Sequence, residues 1–197
     1  MRTDLDIIQQ WVQPSSRVLD LGCGEGELLA HLIDEKNVSA LGLEIDHHEI
    51  IECTRKGVPV IKQDLNQGLG NFTDQSFDLV VMTQSFQQMK APHRVLDELL
   101  RVGKEAIITF PNFGHWTTRR YLGLKGRMPM SKALPFMWYN TPNIHLCTFK
   151  DFEELCGERG VAIKQRMVVD SRHRSRWFIN LFPNILGEIA IYRLAPL

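Results

Sequence analysis

The stretch that decides the fold is Arg17-Val-Leu-Asp-Leu-Gly-Cys-Gly-Glu-Gly26. Its apolar start predicts a buried strand, and its alternating glycines predict a tight turn that opens a helix. Because glycine has no Cβ, such a turn lets a ligand approach the backbone and its free N–H groups. A dinucleotide fingerprint, G-x-G-x-x-G, would require glycine at position 27, where Glu27 stands. The stretch therefore predicts a binding turn of another class, with Asp20 just before it.

The composition fits a single α/β domain, 1–197, with an ordinary core. Apolar residues make up 44% of the 197 residues and charged residues 23%, as in typical globular proteins. The four cysteines are scattered without a C-x-x-C pair, which predicts neither a disulfide framework nor a zinc site. The chain opens with an amphipathic pattern and not a signal peptide, and no apolar run could span a membrane. We therefore expect a cytoplasmic protein without a metal site or membrane association.

Strand and helix patterns alternate along the chain, which predicts an α/β fold with helices on both faces of a mostly parallel sheet. About seven strands are predicted, at residues 17–21, 40–44, 58–61, 77–82, 106–110, 162–169 and 188–194. Helices are predicted at residues 3–13, 26–34, 48–56, 92–102, 116–125 and 148–159. Thr148 followed by Asp151 suits the N-terminus of the last of these helices.

Residues 111–147, after the fifth predicted strand, form an unusually long connection that is rich in aromatic residues. Connections of this length are either functional or disordered, and six aromatic side chains argue against disorder. We expect an ordered cap over the carboxyl ends of the strands, where open α/β sheets bind ligands. The alternative is a cap that only completes the core.

The net charge of the chain is zero, but the acidic and basic residues are unevenly distributed along the sequence. Residues 1–105 carry 17 acidic and 10 basic residues, whereas residues 106–197 carry 6 acidic and 13 basic ones. No acidic residue lies between Ala106 and Lys150, a stretch with the basic residues Arg119, Arg120, Lys125, Arg127, Lys132 and Lys150. These charges are either simply solvated or form a basic face for an anionic substrate or an acidic partner. Without a recognised nucleic-acid module, we expect no nucleic-acid binding.

Two further acids stand where predicted strands end. Glu44 follows the second strand, where a carboxylate can accept hydrogen bonds from both hydroxyls of a ribose. Asp46 could replace it if the strand ended later, and a plain surface acid is the alternative. Asp64 follows the third strand, where it either meets a ligand or caps a helix. Three strand-end acids in this order favour a nucleotide-like ligand that carries an amino group.

The sequence offers no clear general base. Gln87-Gln88, after the fourth strand, offers only neutral amides. His93, His115 and His145 are the remaining candidates for a base, and each is also explained as an ordinary surface or core histidine. His47-His48 is better explained as a helix start than as a metal pair, since no third ligand stands at a suitable spacing.

The sequence resembles known protein families at two levels. Asp20-x-Gly-x-Gly-x-Gly26 resembles motif I of the class I S-adenosylmethionine (SAM)-dependent methyltransferases. Nearly the whole chain resembles the MetW family of methionine biosynthesis proteins. The most specific segments lie within Thr109-Phe-Pro-Asn-Phe-Gly-His-Trp116 and Met137-Trp-Tyr-Asn-Thr-Pro-Asn-Ile-His-Leu-Cys-Thr-Phe149, and Asp170-Ser-Arg-His-Arg174 and Pro183-Asn-Ile-Leu-Gly-Glu-Ile189 complete the match.

The resemblance implies a class I methyltransferase (Rossmann-like) fold that binds SAM or S-adenosylhomocysteine. It places Glu44 at the ribose, Asp64 and Leu65 at the adenine and Gln84 beside the methionine end. The full set of expected ligand contacts is Asp20, Gly22, Cys23, Gly24, Gly26, Glu44, Ile45, Asp64, Leu65 and Gln84. It supplies no catalytic residue, and Gln87-Gln88 stands where many small-molecule methyltransferases have a titratable Glu-His pair.

Two hypotheses for the function follow. In the first, which the resemblance implies, the chain is an accessory or regulatory subunit that acts with a homoserine O-acyltransferase. Part of the cap would then be a protein interface, as its Trp, Tyr and Arg content suits. In the second, the chain is an active methyltransferase whose Arg119 or Arg120 holds a small carboxylate-bearing metabolite. The missing base favours the first.

Overall fold

The computed structural model describes residues 3–131, 133–170 and 181–197. Seven strands form one sheet in this part of the chain: β1 (Arg17–Leu21), β2 (Ser39–Glu44), β3 (Val60–Lys62), β4 (Phe77–Thr83), β5 (Gly103–Pro111), β6 (Val161–Val169) and β7 (Ile189–Pro196). The α-helices are α1 (Thr3–Trp11), α2 (Glu27–Lys36), α3 (His47–Arg55), α4 (Pro92–Val102), α5 (Trp116–Lys125), α6 (Phe149–Glu158) and α7 (Pro183–Leu186). Short 3-10 turns occupy Leu65–Gln67 and Phe86–Gln88.

The strand order is β3-β2-β1-β4-β5-β7-β6. Strands β1 to β5 pair in parallel, and β7 lies antiparallel between β5 and β6. The predicted sheet of seven mostly parallel strands is therefore confirmed. Because β1, β2, β4 and β5 run in one direction, their carboxyl ends meet at one edge of the sheet.

Helices cover both faces of the sheet, as predicted, and the alternation of strand side chains divides the core into two. On one face, Leu19, Val80 and Ile108 pack with the buried side chains of α4 and α6. On the other, Val18 and Val81 pack with buried residues from α1, α2 and α3. Strands buried on both sides explain the unbroken apolar runs in the sequence.

Two strand starts differ from the sequence prediction by more than one residue. Strand β5 begins three residues earlier than expected, directly after α4. Gly103 makes this possible because a Cβ there would lie 2.6 Å from a methyl group of Val80. Strand β3 begins later than expected, at Val60, because the N–H of Val58 donates to the carbonyl of Cys53 and so closes the end of α3.

Helix starts were the more predictable boundaries. The Thr148 side chain accepts the N–H of Asp151, whose carboxylate accepts the N–H of Thr148, so the capping box expected before α6 is confirmed. Helix α3 begins at His47, as the prediction of a helix start there requires. Lys132 and residues 171–174, which also carried sequence predictions, lie outside the described residues. No helix in the described ranges has the length and hydropathy to cross a bilayer.

Candidate functional site

The glycine turn after β1 is built against its two neighbouring strands. Gly22, Gly24 and Gly26 all have positive φ, at 74°, 54° and 72°, a conformation that suits glycine. The N–H groups of Gly22 and Cys23 donate to the carbonyl of Leu43 at 2.8 and 3.2 Å. A Cβ on Gly22 would lie 3.0 Å from Oγ of Ser85, beyond the end of β4. The turn is thus closely packed and depends on its glycines.

Two cysteine thiols pack against the glycine turn. Cys53 donates its S–H to the carbonyl of Gly24 at 3.0 Å, and its sulfur lies 3.8 Å from that of Cys23. A Cβ at Gly26 would lie 2.9 Å from the sulfur of Cys53, and one at Gly42 would lie 2.5 Å from that of Cys23. Burial raises the pKa of both thiols, so they are neutral packing groups at ordinary pH.

A cavity of about 620 Å³ opens at the carboxyl edge of the sheet, within the usual size of small-molecule sites. It brings together six residues expected from the sequence: Gly22, Glu44, Ile45, Asp64, Leu65 and Gln84. The cap forms another wall of this cavity, through Ala133, Pro135, Phe136, Pro142 and Asn143. The segment after β5 therefore does lie over the strand ends.

A second cavity, of about 340 Å³, lies on the other side of the glycine turn. It is lined by Asp20, Cys23 and Gly24, with Leu5 of α1. Gly22 and Thr83 line both cavities, so the two meet at the ends of β1 and β4. Gly26 lines neither, and its contact with a ligand remains a prediction.

Glu44 is the acid at the end of β2, and its carboxylate is held in place by backbone donors. Oε2 accepts the N–H of Gly24 at 2.9 Å, and Oε1 accepts the N–H of Ile45 at 2.7 Å. Asp46 instead caps α3 by accepting the N–H groups of His48 and Glu49, so it does not replace Glu44. A carboxylate oxygen can accept more than one hydrogen bond, so this fixed group can also bind a diol.

The residues around Glu44 form an acidic rim. Burial, and then the nearby Glu25, Glu44 and Asp46, raise the pKa of Glu49 above its ordinary value. The rim favours hydroxyl or amino donors over an anion at this end of the cavity.

Asp64 caps a turn and also lines the cavity. Its Oδ1 accepts the backbone N–H of Asn66 at 2.9 Å and the side-chain amide at 3.0 Å, which caps the 3-10 turn at Leu65. These hydrogen bonds lower the pKa of the carboxyl group. The residue also lines the cavity wall, next to Leu65.

Gln84 reverses the chain at the end of β4. It adopts a positive φ of 56°, and its N–H donates to both oxygens of Thr109 at 3.0 Å. This turn brings Gln84 to the wall between the strand ends and the cap.

The candidate bases and cations lie elsewhere. Of the described residues, those lining the large cavity include no histidine, lysine or arginine. His93 and His145 line a separate cavity of about 340 Å³ beside Cys147. His115 is buried, with Nδ1 2.6 Å from Oγ1 of Thr117, and burial lowers its pKa. Arg119 donates through Nε to the carbonyl of Gly114.

Two amide side chains have structural roles that sequence reasoning missed. Gln87 is 1% exposed; its backbone carbonyl accepts the N–H groups of Ile144 and His145, and its side-chain Nε2 donates to the carbonyl of Pro111. The Asn112 side chain donates to the carbonyls of Asn184 and Gly187 and accepts the N–H of Gly114. These two residues therefore join the cap to the sheet and to its neighbouring segments. Their only sequence signal was their place in unusual segments.

Comparisons with known proteins agree with this geometry. The family model described as methionine biosynthesis protein MetW matches residues 2–194. The bifunctional methionine biosynthesis protein MetXA/MetW of Rhodopirellula baltica is 32% identical over 200 residues, which cover 97% of this chain and 32% of that protein. The chain thus spans about a third of the length of this curated relative.

Solved structures identify the fold. An S-adenosylmethionine-dependent methyltransferase from Mesorhizobium loti matches with a TM-score of 0.71, at 14% identity, over 98% of this chain and 97% of that one. The [4+2]-cyclase SpnF matches with a TM-score of 0.66, at 18% identity, over 98% and 79%. The fold is therefore that of the class I methyltransferases, and the chain belongs to the MetW family of methionine biosynthesis proteins.

Proposed function

We propose that this chain is a SAM-binding accessory subunit that acts with a homoserine O-acyltransferase in methionine biosynthesis. The observation that carries the ligand assignment is the meeting of Glu44, Asp64, Gly22 and Gln84 around one cavity. S-adenosylmethionine or its demethylated product, S-adenosylhomocysteine, has the parts that these groups suit: a ribose diol, an adenine amine and an amino acid.

The ligand would extend from the larger of these two cavities into the smaller one. Glu44 would accept the ribose hydroxyls, and Asp64, beside Ile45 and Leu65, would accept the adenine amine. The amino acid end would turn towards the smaller cavity, where Asp20 suits its ammonium group and the glycine turn admits close approach. When bound, SAM would supply an electrophilic methyl group on a sulfonium.

Two observations favour an accessory role over methyl transfer. In the Rhodopirellula baltica relative, a MetW-like part is joined to a MetXA part in one chain, which supports a working association between the two. At the cap end of the cavity, a methyl acceptor would meet the side chains of Gln88, Met89, Phe136 and Asn143. These neutral side chains would not stabilise a charged nucleophile. The SpnF likeness adds that this fold also occurs in a protein named for a different reaction.

The second candidate is a methyltransferase for a small carboxylate-bearing metabolite. It was based on Arg119 or Arg120 as the carboxylate ligand, yet neither side chain lines the cavity. This candidate therefore has weaker support, and it predicts release of S-adenosylhomocysteine on incubation with SAM and a carboxylic acid library.

The experiment that tests the proposal has two arms. Calorimetric titration of the full chain with SAM and with S-adenosylhomocysteine should give saturable one-to-one binding. Homoserine O-acyltransferase from the same organism should then show altered activity or stability when the chain is added. Absence of binding in the first arm would overturn the ligand, and absence of any complex or effect in the second would overturn the accessory role.

SAM could regulate the acyltransferase by feedback if it bound one state of the complex more tightly than another. By linkage, SAM would change the affinity for the acyltransferase by the same factor as the acyltransferase changes the affinity for SAM. The cap segment is the physical candidate for this coupling, because one side of it lines the cavity while Trp138 and Tyr139 are exposed to solvent.

A further inference from the structure

Helix α5 has almost no packing support from the other described residues. Of its ten residues only Thr118 is buried, and no other described helix or strand packs broadly against it. An isolated helix of this length is marginal in water, since most helical stability comes from the packing of one face. Among the described residues, α5 therefore has no broad packing partner.

The exposed surface of α5 includes large apolar side chains. Trp116, Arg120 and Leu124 follow one another at intervals of four residues and so form one stripe. By helical periodicity, this stripe lies on the side opposite the buried Thr118. Leu124 is 73% exposed. Large exposed apolar side chains aligned on a helix are typical of a helix that docks in a groove.

The charge on and beside α5 is uniformly positive. Arg119, Arg120, Lys125 and Arg127 are all exposed, in a stretch of sequence without an acidic residue. Pairing α5 with α5 of a second copy through a two-fold axis would place these cations opposite one another, which is unfavourable. The complementary surface is therefore an apolar groove with an acidic rim on a different protein.

We propose that the α5 stripe, Trp116, Arg120 and Leu124, is the docking site for the homoserine O-acyltransferase, a step that rests on the proposed function. The relative in which a MetW-like part and a MetXA part share one chain supports a protein, and not a lipid surface, as the occupant. Arginine and tryptophan are the residues that most often dominate such interfaces. Docking covers the stripe and stabilises α5.

The test compares matched variants of the full chain by calorimetric titration with the purified acyltransferase. Leu124→Ser on the stripe is matched by Leu122→Ser, which has the same loss of helix propensity but lies on the opposite side of the helix, four residues after Thr118. Arg120→Glu is matched by Lys164→Glu, an exposed cation on β6. The stripe variants should bind the acyltransferase about tenfold more weakly or worse, and both controls should bind within about twofold of wild type. All four variants should keep wild-type affinity for SAM.

Hydrogen exchange gives a second readout. The amides of residues 116–125 should exchange more slowly in the complex than in the free chain, since docking suppresses opening of the helix. If both stripe variants bind the acyltransferase like wild type, and exchange in α5 is unchanged in the complex, the docking site is overturned. The proposed partnership with the acyltransferase would still stand. Absence of any complex with the wild-type chain overturns both. Binding of wild type, but not of the stripe variants, to vesicles of anionic lipid without any acyltransferase complex assigns α5 to a membrane surface and overturns the proposal.

Discussion

Glu44 Oε2 accepts the N–H of Gly24 at 2.9 Å, and this hydrogen bond joins the end of β2 to the glycine turn after β1. The same carboxylate holds the next turn of its own chain through the N–H groups of Ile45 and Asp46. The acid expected to bind the ribose is thus placed by the backbone before any ligand arrives. Such preorganisation lowers the entropic cost of binding.

Replacing Glu44 by Gln should weaken SAM binding without unfolding the chain. The amide keeps one acceptor oxygen but loses the charge and the second acceptor, so we expect an affinity about ten- to a hundredfold lower. Calorimetric titration measures the change. Glu52→Gln, which makes the same substitution in helix α3, is the matched control and should bind like wild type. Equal binding by Glu44→Gln and wild type would contradict the ribose assignment.

Gly42→Ala should destabilise the chain through Cys23. The new Cβ would lie 2.5 Å from the Cys23 sulfur, and overpacking of this kind costs about 1 to 3 kcal/mol of unfolding free energy. Urea unfolding should show that Cys23→Ala relieves part of this cost in the double variant, because it removes the clashing atom. Gly70→Ala, where a Cβ meets nothing within 4 Å, should change stability much less. Additive effects of Gly42→Ala and Cys23→Ala would show that the sulfur is not the cause.

The glycine turn shows what could be predicted from the sequence. Its strand, turn and helix follow from local patterns, and the strand-end acids Glu44 and Asp64 follow from strand order. Both types of inference need only the chain's own periodicity and the rule that parallel strands end at one edge.

The cap shows what could not be predicted. The role of Gln87 depends on hydrogen bonds to Ile144, His145 and Pro111, far along the chain, and no local pattern encodes these partners. The pair Gln87-Gln88 was interpreted as a neutral replacement for a titratable pair; the structure adds that Gln87 supports the cap and that Gln88 lines the cavity. Similarly, a helix was expected at residues 116–125 within the cap, but its lack of broad packing partners among the described residues is visible only in three dimensions.

Asn112→Ala should be among the more destabilising single changes outside the apolar core. Asn112 is 2% exposed and joins Asn184, Gly187 and Gly114 through three hydrogen bonds. Removing it leaves buried backbone groups without partners, at a cost of about 2 to 4 kcal/mol of unfolding free energy. Urea unfolding of the variant measures this loss. Asn140→Ala, at an exposed position of the cap, should stay within about 0.5 kcal/mol of wild type.

Acid should destabilise the chain partly through His115. Burial lowers its pKa in the folded state, and the nearby Glu188 offsets only part of this shift. As the pH falls through the ordinary histidine value of about 6.5, the unfolded chain therefore takes up a proton that the folded chain does not. The stability that His115 contributes is present above that pH and is lost as the pH falls towards the folded pKa.

His115→Asn tests this, because asparagine keeps a polar group near the position of Nδ1 but cannot titrate. The unfolding free energy of the variant should fall less than that of wild type between about pH 7.5 and 5.5. His93→Asn, at an exposed histidine of α4, is the control and should retain the wild-type slope. If His115→Asn also retains that slope, the acid sensitivity originates elsewhere. A steeper slope in the variant would mean that the folded state binds the proton more tightly than the unfolded chain, contrary to the burial of His115.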